Sequence, residues 1–362
     1  MISKLFKNVS NRRSFLGAGA LLPLVPLFSS TNTSADNPAD PKSICKSPLA
    51  HAGGMTTVGN VDHLRNGFDP HNLLTDWETG TVEKDSAGKT IRKFEIIAVD
   101  TEIEIAPGVF FPAWTYNGRV PGPTIRATEG EFLQIKFINM GSHPHSMHFH
   151  GIHSAKMDGI SGAGLVDPGE EFVYEFRADP FGCHLYHCHV APLKRHIHKG
   201  LYGAFIVDPD PKLHPQNTTT ALSRQLGTDE NMHWQELVMV MNAFDTNFDE
   251  ENEIYAVNTI AHEYSKRPIK IDKQRPVRIY LINVTEFDPI NSFHIHGNFF
   301  DYFDHGTTLT PTLNKVDTVM QCQAQRGIIE MSFSNHEPGH YMFHAHQSEF
   351  AELGWMSMFE VV

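Results

Sequence analysis

The sequence predicts an all-β protein built from two tandem β-sandwich domains. Three observations carry that prediction. From Thr90 onward, short β-prone runs alternate with Gly and Pro turn signals. A stretch rich in Pro, Asp and Thr interrupts the pattern at 209–230, after which it restarts. The two halves also read as divergent copies. Each has a strand ending in Asn (Asn139, Asn283), a His-x-His pair, an acid-rich strand, and a second His-x-His with aromatic residues before it.

The N-terminus reads as an address. Lys4, Lys7, Arg12 and Arg13 lie before or beside an apolar run from Phe15 to Phe28, which is too short to span a bilayer and is broken by Pro23 and Pro26. Asn11-Arg12-Arg13-Ser14-Phe15-Leu16 resembles a twin-arginine export signal, and an ordinary secretory leader is the alternative. Residues 1–35 are expected to be removed, leaving a periplasmic or otherwise exported protein. Export in the folded state suits a protein loaded with metal beforehand. Residues 36–89 show weak periodicity and read as an extended arm.

Domain 1 is expected over 90–208. Lys93–Val99, Phe132–Ile138, Glu171–Phe176 and Gly203–Val207 alternate or nearly alternate, with Gly118, Pro121-Gly122-Pro123, Gly130 and Pro168-Gly169 between them. Residues 209–230 read as a linker. Domain 2, 231–362, repeats the pattern at Glu236–Asn242, Val277–Val284, Gly327–Phe333 and Met356–Val362. The 362 residues suffice for about two domains. With 42 acidic and 29 basic residues the net charge is −13, which argues against nucleic acid and anionic membrane as partners. Four cysteines, at 45, 183, 188 and 322, are too few for a disulfide scaffold; 45, 183 and 322 leave room for one disulfide or none.

Histidine is the outlier, at 23 residues. Random placement would give about 1.5 His-x-His pairs for this composition. The sequence has six, at 143/145, 148/150, 187/189, 196/198, 294/296 and 344/346. On a strand, side chains at i and i+2 share a face. Four of the pairs (His148/His150, His187/His189, His294/His296, His344/His346) occupy matched positions in the two repeats. Eight converging imidazoles exceed one ion and suit a small metal cluster. Within His187-Cys188-His189 the thiol points away from both imidazoles. It is placed to bind a separate metal one residue of backbone from the cluster. A His2Cys set is the pattern of blue copper. Spacing nominates His145 and His196 as its other ligands, with His143 and His198 as rivals. The axial position falls on Leu201, which cannot ligate and so favours a high reduction potential.

At this point the chain from about residue 90 resembles the multicopper oxidases. Trp114-Thr115-Tyr116-Asn117-Gly118 with Pro121–Arg126 resembles their opening segment. His148-Phe149-His150-Gly151-Ile152-His153 resembles the first copper motif of laccases, and His344-Ala345-His346 through Gly354-Trp355-Met356 the terminal one. The resemblance implies cupredoxin-like Greek-key domains and four coppers per chain. It implies type 1 copper at His145, Cys188 and His196, and type 2 copper at His148 and His294. The type 3 pair falls at His150, His187, His189, His296, His344 and His346. Ala345, Phe350, Trp355 and Asn291 occupy the places of a second-domain blue site and cannot form one. This pattern is similar to two-domain, laccase-like oxidases with type 1 copper in domain 1, related to copper nitrite reductases. It implies a homotrimer with each cluster between subunits.

The expected reaction passes single electrons from a reductant through Cys188 to His187 and His189, and reduces dioxygen to water. The reductant is expected to reach the type 1 site at an exposed edge of His145 or His196. Asp158, ten residues after His148, matches the acidic position that the family uses near type 2 copper; Glu349 and Glu352 are weaker candidates. A phenol-like reductant is the default donor. An electron-donor protein is an alternative, given Lys194-Arg195 beside the site. Copper nitrite reductase is the competing reading. His148 standing in the place of its catalytic Asp, His189 after the Cys, and the missing axial Met all weigh against it.

Overall fold

The computed structural model describes residues 59–362. The expected export signal, most of the arm and Cys45 lie outside the described residues. No helix among them is long and apolar enough to cross a membrane. Cys183, Cys188 and Cys322 are free thiols.

Strand alternation builds four sheets. In domain 1, Thr90–Ala106 pairs in parallel with Phe132–Asn139, which pairs antiparallel with Glu171–Arg177; Val109–Tyr116 also pairs with Thr90–Ala106. Leu133, Ile135 and Phe137 turn inward, while Gln134 and Lys136 stay partly exposed. The facing sheet runs in the order Trp77–Glu78, Thr124–Thr128, Tyr202–Asp208, Gly182–His187, His148–Phe149. Domain 2 repeats the plan. One sheet has Ile254–Val257, Gln235–Phe244, Val277–Asn283, Arg326–Met331, Phe300–Asp304 and Leu313–Val316; the other has Ile269–Ile271, Met356–Val361, Gly339–His344, Ile290–Ile295 and Thr318–Cys322.

The strand Gln235–Phe244 is buried on both faces, and its alternation sorts it into two cores. Leu237, Met239 and Met241 fill the interior of domain 2, whereas Val238, Val240 and Phe244 face domain 1 and meet Ile103, Phe111, Leu185 and Ile206. Val277–Asn283 does the same, with Ile279 and Leu281 inside and Tyr280 and Ile282 outside. A continuous apolar core therefore joins the two domains, and a near-continuous hydrophobic run is what a doubly buried strand needs.

Two segments differ from the sequence reading. Trp77–Glu78 and Thr81–Lys84, expected as an irregular arm, extend the sheets of domain 1 by pairing with Thr124–Ile125 and Thr90–Lys93. Strands of two and four residues are too short to show a period, and Thr81–Lys84 is exposed throughout. The 209–230 stretch contains a helix, Thr218–Arg224, and its Arg224 is buried.

Arg224 belongs to a buried charge network at the domain junction. Arg126 bonds Asp208 at 3.0 Å and Glu236 at 2.7 Å; Arg278 bonds Glu236 at 3.0 Å and Glu330 at 2.8 Å; Tyr280 donates to Glu236 at 2.8 Å. Glu236 thus holds an arginine from each domain. Truncating one member of such a network leaves unpaired buried charge. Glu236→Ala is expected to destabilise the fold by about 3–5 kcal/mol, read as a lowered denaturant midpoint, whereas loss of an ordinary surface carboxylate would change it by under about 0.5 kcal/mol.

Candidate copper centres

The first centre forms where two strand ends and a short helix meet. Gly182–His187 ends just before Cys188, and the helix Leu193–His198 follows Pro192. The helix swings His196 back over Cys188, and the chain then turns at Gly200, φ +114°. A Cβ there would lie 2.9 Å from the Trp114 carbonyl and 2.5 Å from Val120, so glycine is required. The Leu201 carbonyl accepts the Cys188 N–H at 3.0 Å, tying the two ends of the segment together. His145 arrives on the segment after Phe132–Asn139. Asn139, fully buried, donates to the His143 and Val166 carbonyls at 2.8 Å and accepts from Gly141. Asn283 plays the same part in domain 2.

His145, Cys188 and His196 offer donor atoms within 4.8 Å of one another. His196 Nδ1 lies 3.2 Å from Cys188 Sγ and 3.2 Å from His145 Nδ1. His143, the rival from spacing, is exposed and stacks on Trp114; His198 turns its Nε2 to accept the Asp245 N–H at 2.9 Å. Both are otherwise engaged. Burial holds His145 and His196 down at about 4 and pushes the Cys188 thiol up to about 11. The imidazoles are thus neutral and ready to ligate. His145 Nε2 is buried without a hydrogen-bond partner. Two borderline imidazole nitrogens and a thiol converging in a dry site fit copper. Leu201, the residue expected at the axial place, is fully buried.

One expectation is corrected here. His145 and His196 have no exposed edge: they are 1% and 3% exposed. Trp114 covers both, with ring centroids at 5.2 and 4.8 Å. Its sequence signal was read only as part of an opening motif, since nothing in spacing says what a Trp ring will cover.

The imidazole pairs form two further sets. In domain 1, His148 pairs across the sheet with His187, and His150 Nε2 lies 3.2 Å from His187 Nε2. His189 completes the set, 4.9 Å from His148 between ring centroids. In domain 2, His294 pairs with His344, His296 Nε2 lies 3.0 Å from His344 Nε2, and His346 sits 5.2 Å from His294. The outer nitrogens are anchored to carbonyls: His187 Nδ1 to Cys188 at 2.9 Å, His344 Nδ1 to Ala345 at 2.6 Å, His148 Nδ1 to Asp158 at 2.9 Å, His294 Nδ1 to Asp317 at 3.0 Å. A proton on each Nδ1 turns each Nε2 lone pair inward, the arrangement that metal-binding histidines use. The Asp158 carboxylate also lies 3.2 Å from His148 Nδ1. In domain 2 the Asp317 carbonyl anchors His294 in the same way, 23 residues on rather than ten, while its carboxylate accepts from Thr318. Glu349 and Glu352 appear in none of the metal-capable groups found among the described residues.

Each metal-capable imidazole group belongs to one domain. Beside the domain-1 set, a cavity of about 230 Å³ is floored by Val284, Gln323 and Ala324 of domain 2, not by its histidines. Arg326 of domain 2 reaches His150 Nδ1 at 3.3 Å and His184 Nδ1 at 3.4 Å. In the domain-2 place of the first centre, Asn291, Ala345, Phe350 and Trp355 are buried and pack as core, with Phe350 stacked on Tyr255 at 4.0 Å.

Only a thiol still protonated at neutral pH must lose its proton to ligate. Copper loading of the metal-free protein at pH 7 should release about one more proton per chain in wild type than in Cys188→Ser, measured by pH-stat; equal release would contradict the Cys188 assignment.

Comparison with known proteins agrees with this chemistry. Two family models, both described as multicopper oxidase, match residues 99–212 and 230–362. A crystal structure described as a multicopper oxidase is 50% identical, with a TM-score of 0.76, over 84% of this chain and all of its own. A copper-containing nitrite reductase of Neisseria meningitidis is 34% identical over 130 residues, 35% of this chain and 33% of that protein. The chain thus matches about a third of the length of that curated relative. The copper nitrite reductase of Nitrosomonas europaea shares the fold, with a TM-score of 0.63 at 22% identity, over 75% of this chain and 94% of its own. With two matched domains, a full-length structural relative at half identity and donor sets suited to copper, the chain belongs to the multicopper oxidase family.

Proposed function

We propose that this protein is a laccase-like oxidase that takes single electrons from a phenol-type reductant and reduces dioxygen to water. The observation that carries the reading is the joining of two donor sets through Cys188. Its thiol faces His145 and His196, while the flanking His187 and His189 face the imidazole set of the same domain. Copper bound at these sets supplies one-electron redox chemistry and a site for dioxygen.

The chain's own residues do the rest. His145, Cys188 and His196 hold the type 1 ion, and Trp114 separates them from solvent. The backbone at 187–189 connects that site to the cluster. His148 and His294 are assigned to type 2 copper, and the remaining six imidazoles to the type 3 pair. Asp158, against His148, is assigned to hold and deliver a proton there.

A cluster of eight imidazoles needs the two sets to meet, and within one chain they form separate groups. The domain-2 set is open to solvent at His296 and His346, and Phe299 and Met320 near it are 59% and 60% exposed. These features support a homotrimer in which domain 1 of one subunit closes on domain 2 of the next. Periplasmic location by twin-arginine export is part of the same reading.

The test is to load the mature chain with copper and measure metal content, visible spectrum and dioxygen uptake with a phenol. About four coppers per chain, an intense blue band and oxygen consumption are expected. About two coppers per chain, no oxygen uptake and nitrite-dependent turnover would instead make it a copper nitrite reductase, the class of its partial relatives. Leu201→Met is expected to lower the type 1 potential while keeping the blue band; an unchanged potential would contradict the axial assignment.

A further inference from the structure

Lys199 is an anomaly in the mechanism so far. It follows the helix that carries His196, and it is only 8% exposed. Its ammonium lies 5.1 Å from the Phe111 ring centroid, 5.7 Å from Trp114 and 4.9 Å from Phe248. Two of these rings come from domain 1. Phe248 comes from the domain-2 loop that also sends the Asp245 N–H to His198. The Lys199 carbonyl accepts the Trp114 N–H at 2.9 Å. Trp114 in turn lies on both His145 and His196. One indole therefore touches both the Lys199 cation and two ligands of the first centre.

Burying an ammonium without a carboxylate partner is costly. Aromatic faces offset part of that cost. Desolvation, with Arg195 acting in the same direction and Asp100 opposing, brings the Lys199 amine down to about 8. At neutral pH it stays mostly charged, beside three rings rather than a carboxylate. A positive charge near a redox metal disfavours the more positive oxidation state.

We infer that Lys199, caged by Phe111, Trp114 and Phe248, raises the reduction potential of the His145–Cys188–His196 centre. The inference rests on the type 1 assignment above. It gives domain 2 a hand in that centre through Phe248, although it contributes no ligand. It also acts in the same direction as the apolar Leu201.

The test uses the copper-loaded full protein at pH 7 with dioxygen excluded, poised at one fixed ferricyanide-to-ferrocyanide ratio, with the reduced-to-oxidised ratio read from the blue band. Lys199→Met is expected to lower that ratio about five- to tenfold, and Lys199→Arg to keep it within about twofold, with the band position unchanged in both. A Lys199→Met ratio within about twofold of wild type, or an equal fall in both variants, would overturn the inference. Should Lys199→Met fail to take up copper, Phe248→Leu is read in its place. Opening the cage to water must then lower the ratio in the same direction, and no change would overturn the inference. A wild-type protein with no blue band would overturn the type 1 assignment itself, which is a separate outcome.

Discussion

Everything in the site depends on the alternation of side chains along three residues, His187, Cys188 and His189. An extended backbone sends neighbouring side chains to opposite faces. That rule places the Cys188 sulfur against His196 on one side and the His187 ring against His150 on the other. Two metal chemistries are thereby separated by a single peptide bond between neighbouring residues, with no dedicated linker. The remaining structure holds this segment still. Tyr186 is buried and donates to the Pro123 carbonyl at 2.6 Å, Ser146 accepts the His189 N–H at 3.1 Å, and Leu201 accepts the Cys188 N–H.

The second constraint is the rigid junction of the two domains. Doubly buried strands and the arginines around Glu236 fix domain 2 against domain 1 in an orientation that sets Val284, Gln323 and Ala324, rather than histidines, beside the domain-1 imidazoles. Both domains carry the same half-set, yet the junction keeps them from completing one another within the chain. Under the proposed assembly, a second subunit supplies what the junction withholds. In the matching place of domain 2, Ala345, Phe350 and Trp355 fill the volume as core.

Much of this was legible in the sequence because it follows from local rules. The His-x-His pairs need only the two-residue period of a strand, and the His196 assignment needs only distance along one short segment. The rest depends on contacts between segments far apart in the chain. Nothing near Trp114 announces that its ring will cover His145 and His196, so an exposed edge was expected where the structure has a lid. Asp317 follows its histidine at a different spacing from Asp158 and was invisible to pattern matching. Lys199 reads as one more charge in the basic run from Lys194; only the tertiary fold puts three rings around it. The strands at 77–84 carry too few residues to show a period, and the helix at 193–198 is a single short turn-and-a-half between Pro192 and Gly200.

The central claim is that a working cluster combines domain 1 of one subunit with domain 2 of another. The most direct measurement is complementation between two inactive variants, His148→Ala/His150→Ala and His294→Ala/His296→Ala, unfolded together and refolded with copper as mixed assemblies. Each variant alone should keep the blue band and consume no dioxygen with a phenol. Mixed assemblies should recover oxygen uptake, because some interfaces then join two intact half-sets. No recovery, in mixtures shown by mass to contain both variants in one assembly, would contradict the account.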